Sequence, residues 1–166
     1  MRRSLGWTMG LLGLLAGLLG GCEFAARTDL KPGVSTVEDV KRYFGPPDVA
    51  RTAPDGSQVL EFPRGPAGYE TYRVEIGPDG KYRGMTQILV PATFARVQPG
   101  MTADQVRDLL GRPTERTRFA LKDEDVWSWR HKGDMARLEF FNVHFGPDGR
   151  VRTTSTSADP DAINRQ

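Results

Sequence analysis

Two histidines, His131 and His144, and one cysteine, Cys22, are the side chains of this 166-residue chain best suited to chemistry near neutral pH. The histidines fall on different predicted strands, and with a single cysteine no metal-ligand spacing is visible. Neither histidine lies in an elbow or triad context that would pair it with a serine, so both read as ordinary surface or sheet residues. The run Asp123-Glu124-Asp125 could supply carboxylates, but it lacks the alternating oxygen ligands and the glycine of a calcium loop and reads as a solvated connection. Gly77-Pro78-Asp79-Gly80 is a turn rather than a phosphate cradle, because proline removes a donor and no lysine-serine pair follows. No nucleophile–base pair or metal constellation can be assembled from these residues. The expectation is a non-catalytic protein with no metal and no cofactor.

The aromatic residues point to recognition. Trp127 and Trp129 are two apart on a predicted strand and share a face, with Arg130 beside them. They either cover the predicted helix Ala103–Leu110 or form an exposed patch at a protein or lipid-headgroup interface, where tryptophan is favoured. The Pro/Gly-rich stretch from Glu61 to Tyr69 is the least regular part of the chain. Phe62, Arg64 and Tyr69 within it are candidates for an adaptable contact site.

Cys22 has no partner for an internal disulfide. It follows Met1-Arg2-Arg3 and an uncharged, leucine-rich run from Leu5 to Leu19, which has the pattern of a secretory signal and is too short for a comfortable membrane span. Leu19-Gly20-Gly21-Cys22 resembles a bacterial lipobox, in which the thiol takes a diacylglyceryl group before cleavage just ahead of it. An uncleaved anchor using Gly6-xxx-Gly10 or Gly13-xxx-Gly17, or an intermolecular disulfide, are the competing readings. Loss of residues 1–21 takes Arg2 and Arg3 and no acid, so the net charge of +2 falls to zero, with 21 basic against 21 acidic side chains. A neutral domain of mixed charge gives no support for nucleic-acid binding. Glu23, rather than aspartate, after the cysteine goes with export to the outer membrane in proteobacterial lipoproteins.

The chain that follows is written twice. Thr36-Val37-Glu38-Asp39-Val40 through Gly45-Pro46-Pro47 returns as Thr102-Ala103-Asp104-Gln105-Val106 through Gly111-Arg112-Pro113, and Ile76-Gly77-Pro78-Asp79-Gly80 returns as Phe145-Gly146-Pro147-Asp148-Gly149. Val37, Val40, Tyr43 and Phe44 fall at helical spacing, matched by Ala103, Val106, Leu109 and Leu110. Ser35-xx-Glu38 and Thr102-xx-Gln105 fit capping boxes one position out of register with each other. Gly45 and Gly111 suit the position after the helix end. Tyr72, Val74 and Ile76 alternate as a strand, as do Phe141, Val143 and Phe145, with hairpin turns at Asp79-Gly80 and Asp148-Gly149. The opposite phase of Leu138 and Phe140 predicts a bulge near Phe140-Phe141. The predicted fold class is α+β, with two tandem units that are each a short helix followed by a three-stranded antiparallel meander. The linker 89–98 is expected to add a short helix.

Val97-Gln98-Pro99-Gly100-Met101-Thr102-xx-Gln105-Val106-xxx-Leu110-Gly111-x-Pro113, then Val126-Trp127-Ser128-Trp129-Arg130, then Leu138-xx-Phe141-x-Val143-x-Phe145, resembles the SmpA/OmlA (BamE-type) outer-membrane lipoproteins. The likeness spans roughly residues 94 to 155, with the first copy a more divergent version of the same unit. A tandem of this unit also resembles the β-lactamase inhibitor protein fold. Members of the first family are accessory subunits of the outer-membrane barrel assembly machinery that bind partner proteins and anionic lipid.

The lipobox-like spacing and the internal repeat predict a signal peptide over 1–21, a lipidated tether over 22–32, repeats over 33–90 and 94–157, and a flexible tail over 158–166. With the resemblance they imply a palmitate-bearing lipoprotein of the cell envelope, anchored to the outer membrane through Cys22 and facing the periplasm. It would serve as a protein-binding module in outer-membrane protein assembly or envelope integrity. The alternative is a periplasmic inhibitor or binder of an envelope enzyme.

Overall fold

The computed structural model describes residues 29–65, 68–133 and 137–163. Cys22 and the whole segment ahead of it lie outside them. The elements in order are α1 (Val37–Phe44), β1 (Val49–Thr52), β2 (Gln58–Arg64), β3 (Glu70–Ile76), β4 (Tyr82–Gln87) and α2 (Pro91–Phe94). There follow α3 (Ala103–Leu110), β5 (Glu115–Phe119), a 3₁₀ turn (Ala120–Lys122), β6 (Glu124–Lys132), β7 (Leu138–Phe145), β8 (Val151–Ala158) and α4 (Pro160–Ile163). They build two antiparallel sheets, ordered β1-β2-β3-β4 and β5-β6-β7-β8. Each unit is thus a helix and four strands rather than three. The extra edge strands, VART and ERTRF, are short and polar enough that no two-residue alternation marks them.

The two helices start in the same way. Thr36 accepts the Asp39 N–H while the Asp39 carboxylate takes the Thr36 N–H at 2.9 Å; Thr102 and Gln105 repeat the box. The boxes are therefore in register, and the expected Ser35–Glu38 box does not form. Ser35 instead accepts the Lys31 N–H at 2.9 Å. Helices of eight residues are marginal alone, and each is also laced to the last strand of its own sheet. Gly33 donates to the Tyr82 carbonyl and Tyr82 to that of Ser35, while Gly100 donates to Val151 and Val151 to Met101, all at 2.8 to 2.9 Å.

Each helix buries its apolar stripe on one face of its sheet. Val40 and Phe44 pack with Leu60, Phe62, Tyr72, Val74, Ile76 and Tyr82. Val106 and Leu110 pack with Trp129, Phe141, Val143, Phe145 and Val151. Ile88 and Leu89, from the end of the first copy, side with the second core, as do Phe94 on the predicted linker helix and Val97. Phe94 stacks on Phe141 with ring centroids 4.3 Å apart.

The expected bulge near Phe140-Phe141 is absent. The pairs Phe140↔Ser157 and Phe141↔Thr156 run in unbroken register, and the irregularities fall instead at the equivalent sites Glu75/Ile76 and His144/Phe145. The change of hydrophobic phase has another cause: β7 is covered on both faces. Phe141 enters the core, while Phe140 lies on the other face beneath the Arg130 guanidinium, 4.9 Å from its ring centroid. The stretch expected as a flexible tail over 158–166 begins with defined contacts. Asp159 is buried against Arg130, and α4 follows.

The units meet where the end of α3 rests on the helix-free face of the first sheet. Arg51 reaches Asp108 at 3.0 Å and Arg112 reaches Asp48 at 3.3 Å. Such exposed pairs contribute about 0–1 kcal/mol each. The deeper contact is Glu61, 2% exposed, whose Oε1 accepts Nη2 of Arg51 and Nη2 of Arg73, both at 2.7 Å. At the equivalent cross-strand place in the second sheet, Ser128 donates to Asn142 at 2.7 Å.

Candidate functional site

Strand β6 presents two faces. Trp127 and Trp129 point toward α3 and His131, on the same face, toward Phe94 of α2, while Val126, Ser128 and Arg130 point away. Trp129 has no exposed surface, and its Nε1–H donates to the Gly111 carbonyl at 3.2 Å. It belongs to the core, so Trp127 and Trp129 do not form a shared exposed patch. Trp127 is only half-buried. The Arg116 guanidinium lies 4.1 Å from its ring centroid and that of Arg107 lies 5.3 Å away. Arg116 is the cross-strand partner of Trp127 on β5, and Arg107 comes from α3. Packed this way, a tryptophan and two arginines offer a surface of mixed apolar and cationic character, the composition of protein-binding hot spots. Beyond it, the β5–β6 connection leaves Phe119 and Leu121 exposed.

The other predicted contact residues separate. Arg130 is buried, with Nε 2.7 Å from Oδ2 of Asp159 and Nη2 donating to Oδ1 at 3.2 Å; the first approach is ionic, off the N–H axis. It therefore cannot form an outward patch with the tryptophans. Phe62 is a core residue stacked on Phe44 at 4.8 Å, and the Arg64 guanidinium covers the Phe44 ring at 5.0 Å. Tyr69 is half-buried, and Lys132 of the second unit lies 4.7 Å from its ring centroid. Only Trp127, Arg64 and Tyr69 keep partial exposure, and β6 places the Trp127 end well away from the Lys132–Tyr69 end. Arg107 and Arg116 were not legible as site residues. The signal was available only as a basic residue on the helix and one on a strand too polar to predict.

The two histidines differ. His131 is buried with its ring edge-on to Phe94 at 4.7 Å, and neither ring nitrogen has a hydrogen-bond partner among the described residues. His144 lies on the outer face of the second sheet, with Nδ1 3.3 Å from the Glu124 carboxylate and Nε2 2.9 Å from the Ser155 hydroxyl. Of the acidic run, Asp123 has φ +48 at the turn, while Glu124 and Asp125 open β6. Asp123 and Asp125 both pair with Arg118. Among the described residues no cluster of three or more histidine, cysteine or acidic side chains could hold a metal ion, and no helix is long and apolar enough to cross a membrane.

Residues 87–155 match the family model of the outer membrane protein assembly factor BamE domain. No curated protein matches the chain. Among solved structures, the chain is similar to an osmotically inducible lipoprotein, OsmE, at 22% identity over 43% of this chain and 83% of that one, with a TM-score of 0.35. It is also similar to YjgB, a DUF4309 family protein from Bacillus subtilis, at 16% identity over 79% and 83%, TM-score 0.31. A protein from Streptococcus mutans described as a β-lactamase inhibitor protein gives 11% identity over 81% and 93%, TM-score 0.30. With TM-scores this low, these likenesses are distant ones. Residues 87–155, which take in α2, α3 and nearly all of the second sheet, are thus similar in sequence to the BamE domain, and they stand behind a first unit of the same build.

Proposed function

We propose that this chain is an outer-membrane lipoprotein, anchored through acylated Cys22 and facing the periplasm, that acts as a protein-binding module in outer-membrane protein assembly. The BamE domain match over 87–155 carries the reading. The lipobox-like Leu19-Gly20-Gly21-Cys22 supplies an anchor, and several acyl chains together give stable attachment where one binds only marginally. The partner would be an envelope protein, such as a component of the barrel assembly machinery. It would be held at the half-exposed Trp127 ring between Arg107 and Arg116. Arg64 and Tyr69 form a second, smaller contact region at the other end of the body.

An affinity pull-down from detergent-solubilised membranes tests this, comparing the full chain with Cys22→Ala and with the double variant Trp127→Ala, Arg116→Ala. The expected result is barrel-assembly components with the full chain and their loss with the double variant. Labelled palmitate should enter the full chain and not Cys22→Ala. Absence of those components from every preparation overturns the assembly role. An unlabelled full chain overturns the anchor.

A further inference from the structure

We propose that Ser155, His144 and Glu124 form an acyl-transfer centre on the outer face of the second sheet, with Ser155 as its nucleophile. The three residues sit on adjacent strands. His144 on β7 lies opposite Val126 of β6 and Thr153 of β8, so Glu124 and Ser155 are each two residues along, on the same face and on opposite sides of the imidazole. Nδ1 is 3.3 Å from Oε1 of Glu124, and Nε2 is 2.9 Å from Oγ of Ser155. A carboxylate beside Nδ1 favours the tautomer protonated there. That leaves the Nε2 lone pair facing the serine hydroxyl, the arrangement in which a histidine acts as general base toward a serine. The shelter is graded in the same order. The Glu124 and His144 side chains are 13% and 21% exposed, while Ser155 is open to solvent.

A donor for developing negative charge stands next to the nucleophile. Asn142, the cross-strand partner of Ser155, has Nδ2 3.5 Å from Ser155 Oγ and donates to Ser157 Oγ at 3.0 Å. An amide of this kind can turn to an oxyanion once an acyl group occupies the serine.

The fold does not require this trio. At the corresponding places in the first unit, Glu75 stands for His144, Thr86 for Ser155, Arg73 for Asn142 and Ser57 for Glu124, and no imidazole is present. Two units with the same helix, sheet and turns differ here in chemistry.

The face is open to solvent at Ser155, so the substrates it fits are esters with an accessible carbonyl and a good leaving alcohol. Ser155 Oγ bonds to the carbonyl carbon while its proton passes to Nε2 of His144, and the carbonyl electron pair moves onto the oxygen beside Asn142. Collapse restores the carbonyl and expels the alcohol oxygen, which leaves with the proton from Nε2. Water then attacks the acyl-serine in the same manner, releasing a carboxylic acid and the free hydroxyl.

A fluorophosphonate probe, followed by peptide mapping of the full-length chain in detergent, tests the assignment, with p-nitrophenyl acetate hydrolysis as the second readout. The expected result is one adduct per chain on Ser155. Ser155→Ala should abolish it, and His144→Gln should slow it by roughly 100-fold, the range of general-base assistance. Ser157→Ala should retain it, and all variants should keep the parental melting curve. Labelling no faster than that of Ser155→Ala, or an adduct mapped to another residue, overturns the proposal. Because the site lies away from Trp127, its failure leaves partner capture untouched, and the converse holds too.

Discussion

Gly111 lies between the two units, with Glu61 on one side and Trp129 on the other. A Cβ at Gly111 would stand 2.8 Å from Oε2 of Glu61, and the Gly111 carbonyl accepts the Trp129 indole N–H at 3.2 Å. Its counterpart Gly45 shares the positive φ (+80 against +71) but would meet nothing within 4 Å. The same helix-ending glycine is thus a backbone requirement in one unit and also a seat for the other unit in the second. Glu61 cannot easily yield, being held by Arg51 and Arg73. Gly45→Ala should cost roughly 1–3 kcal/mol through backbone strain alone. Gly111→Ala should cost more, because the methyl displaces Glu61 as well. Parallel urea melts check the order; equal losses would mean that the Glu61 contact adds nothing.

The two tryptophans should part company under substitution. Trp129→Ala removes a fully buried ring and should cost roughly 3–5 kcal/mol. Trp127→Ala, at a half-buried ring, should lower the melting temperature far less while weakening partner capture. Thermal melts and pull-downs on the same two variants separate core from contact.

Asp39 and Gln105 close equivalent boxes with different chemistry. Hydrogen bonds from Thr36 hold the Asp39 carboxyl below its ordinary value of 3.8, and Arg42 adds to this. A depressed folded-state value means the stabilisation is present above 3.8 and is lost as pH falls through the lower folded value. Gln105 does not titrate. Asp39→Asn should therefore flatten the dependence of stability on pH below about 4, while Gln105→Ala should shift stability equally at every pH. Melts from about pH 2.5 to about pH 7 record the slopes.

His131 places in the core, beside Phe94, two ring nitrogens with no hydrogen-bond partner among the described residues. Buried polar groups without partners cost about 1–3 kcal/mol. His131→Phe keeps the ring and removes the nitrogens, so it should raise the melting temperature. A lower one would show that the nitrogens are satisfied in solution.

Asp159 neutralises a buried guanidinium. Asp159→Ala leaves Arg130 without its closest counterion and should cost roughly 3 kcal/mol, the scale for breaking a buried ion pair. The double variant Arg130→Met, Asp159→Ala should recover part of the loss. Denaturant titration of the three proteins gives the cycle.

The sequence by itself determined the local structure: two short helices, the second opened by Thr102, closed at Gly45 and Gly111, and two hairpins turned at Gly80 and Gly149, while the first helix opens at Thr36 where Ser35 was the expected cap. These are legible because capping, positive φ and alternation act over a few residues. It also determined the family likeness of the second unit, carried by residues that recur at fixed spacing. Tertiary structure decided everything that depends on which faces are covered. It put Trp129 and Phe62 in the cores, buried Arg130 against Asp159, and left Trp127 between two arginines. It also brought Glu124, His144 and Ser155 together from three strands. Alternation tells a strand that it has two faces. Only the packing of α3 against the first sheet, and of Asp159 against β6, says which face meets water.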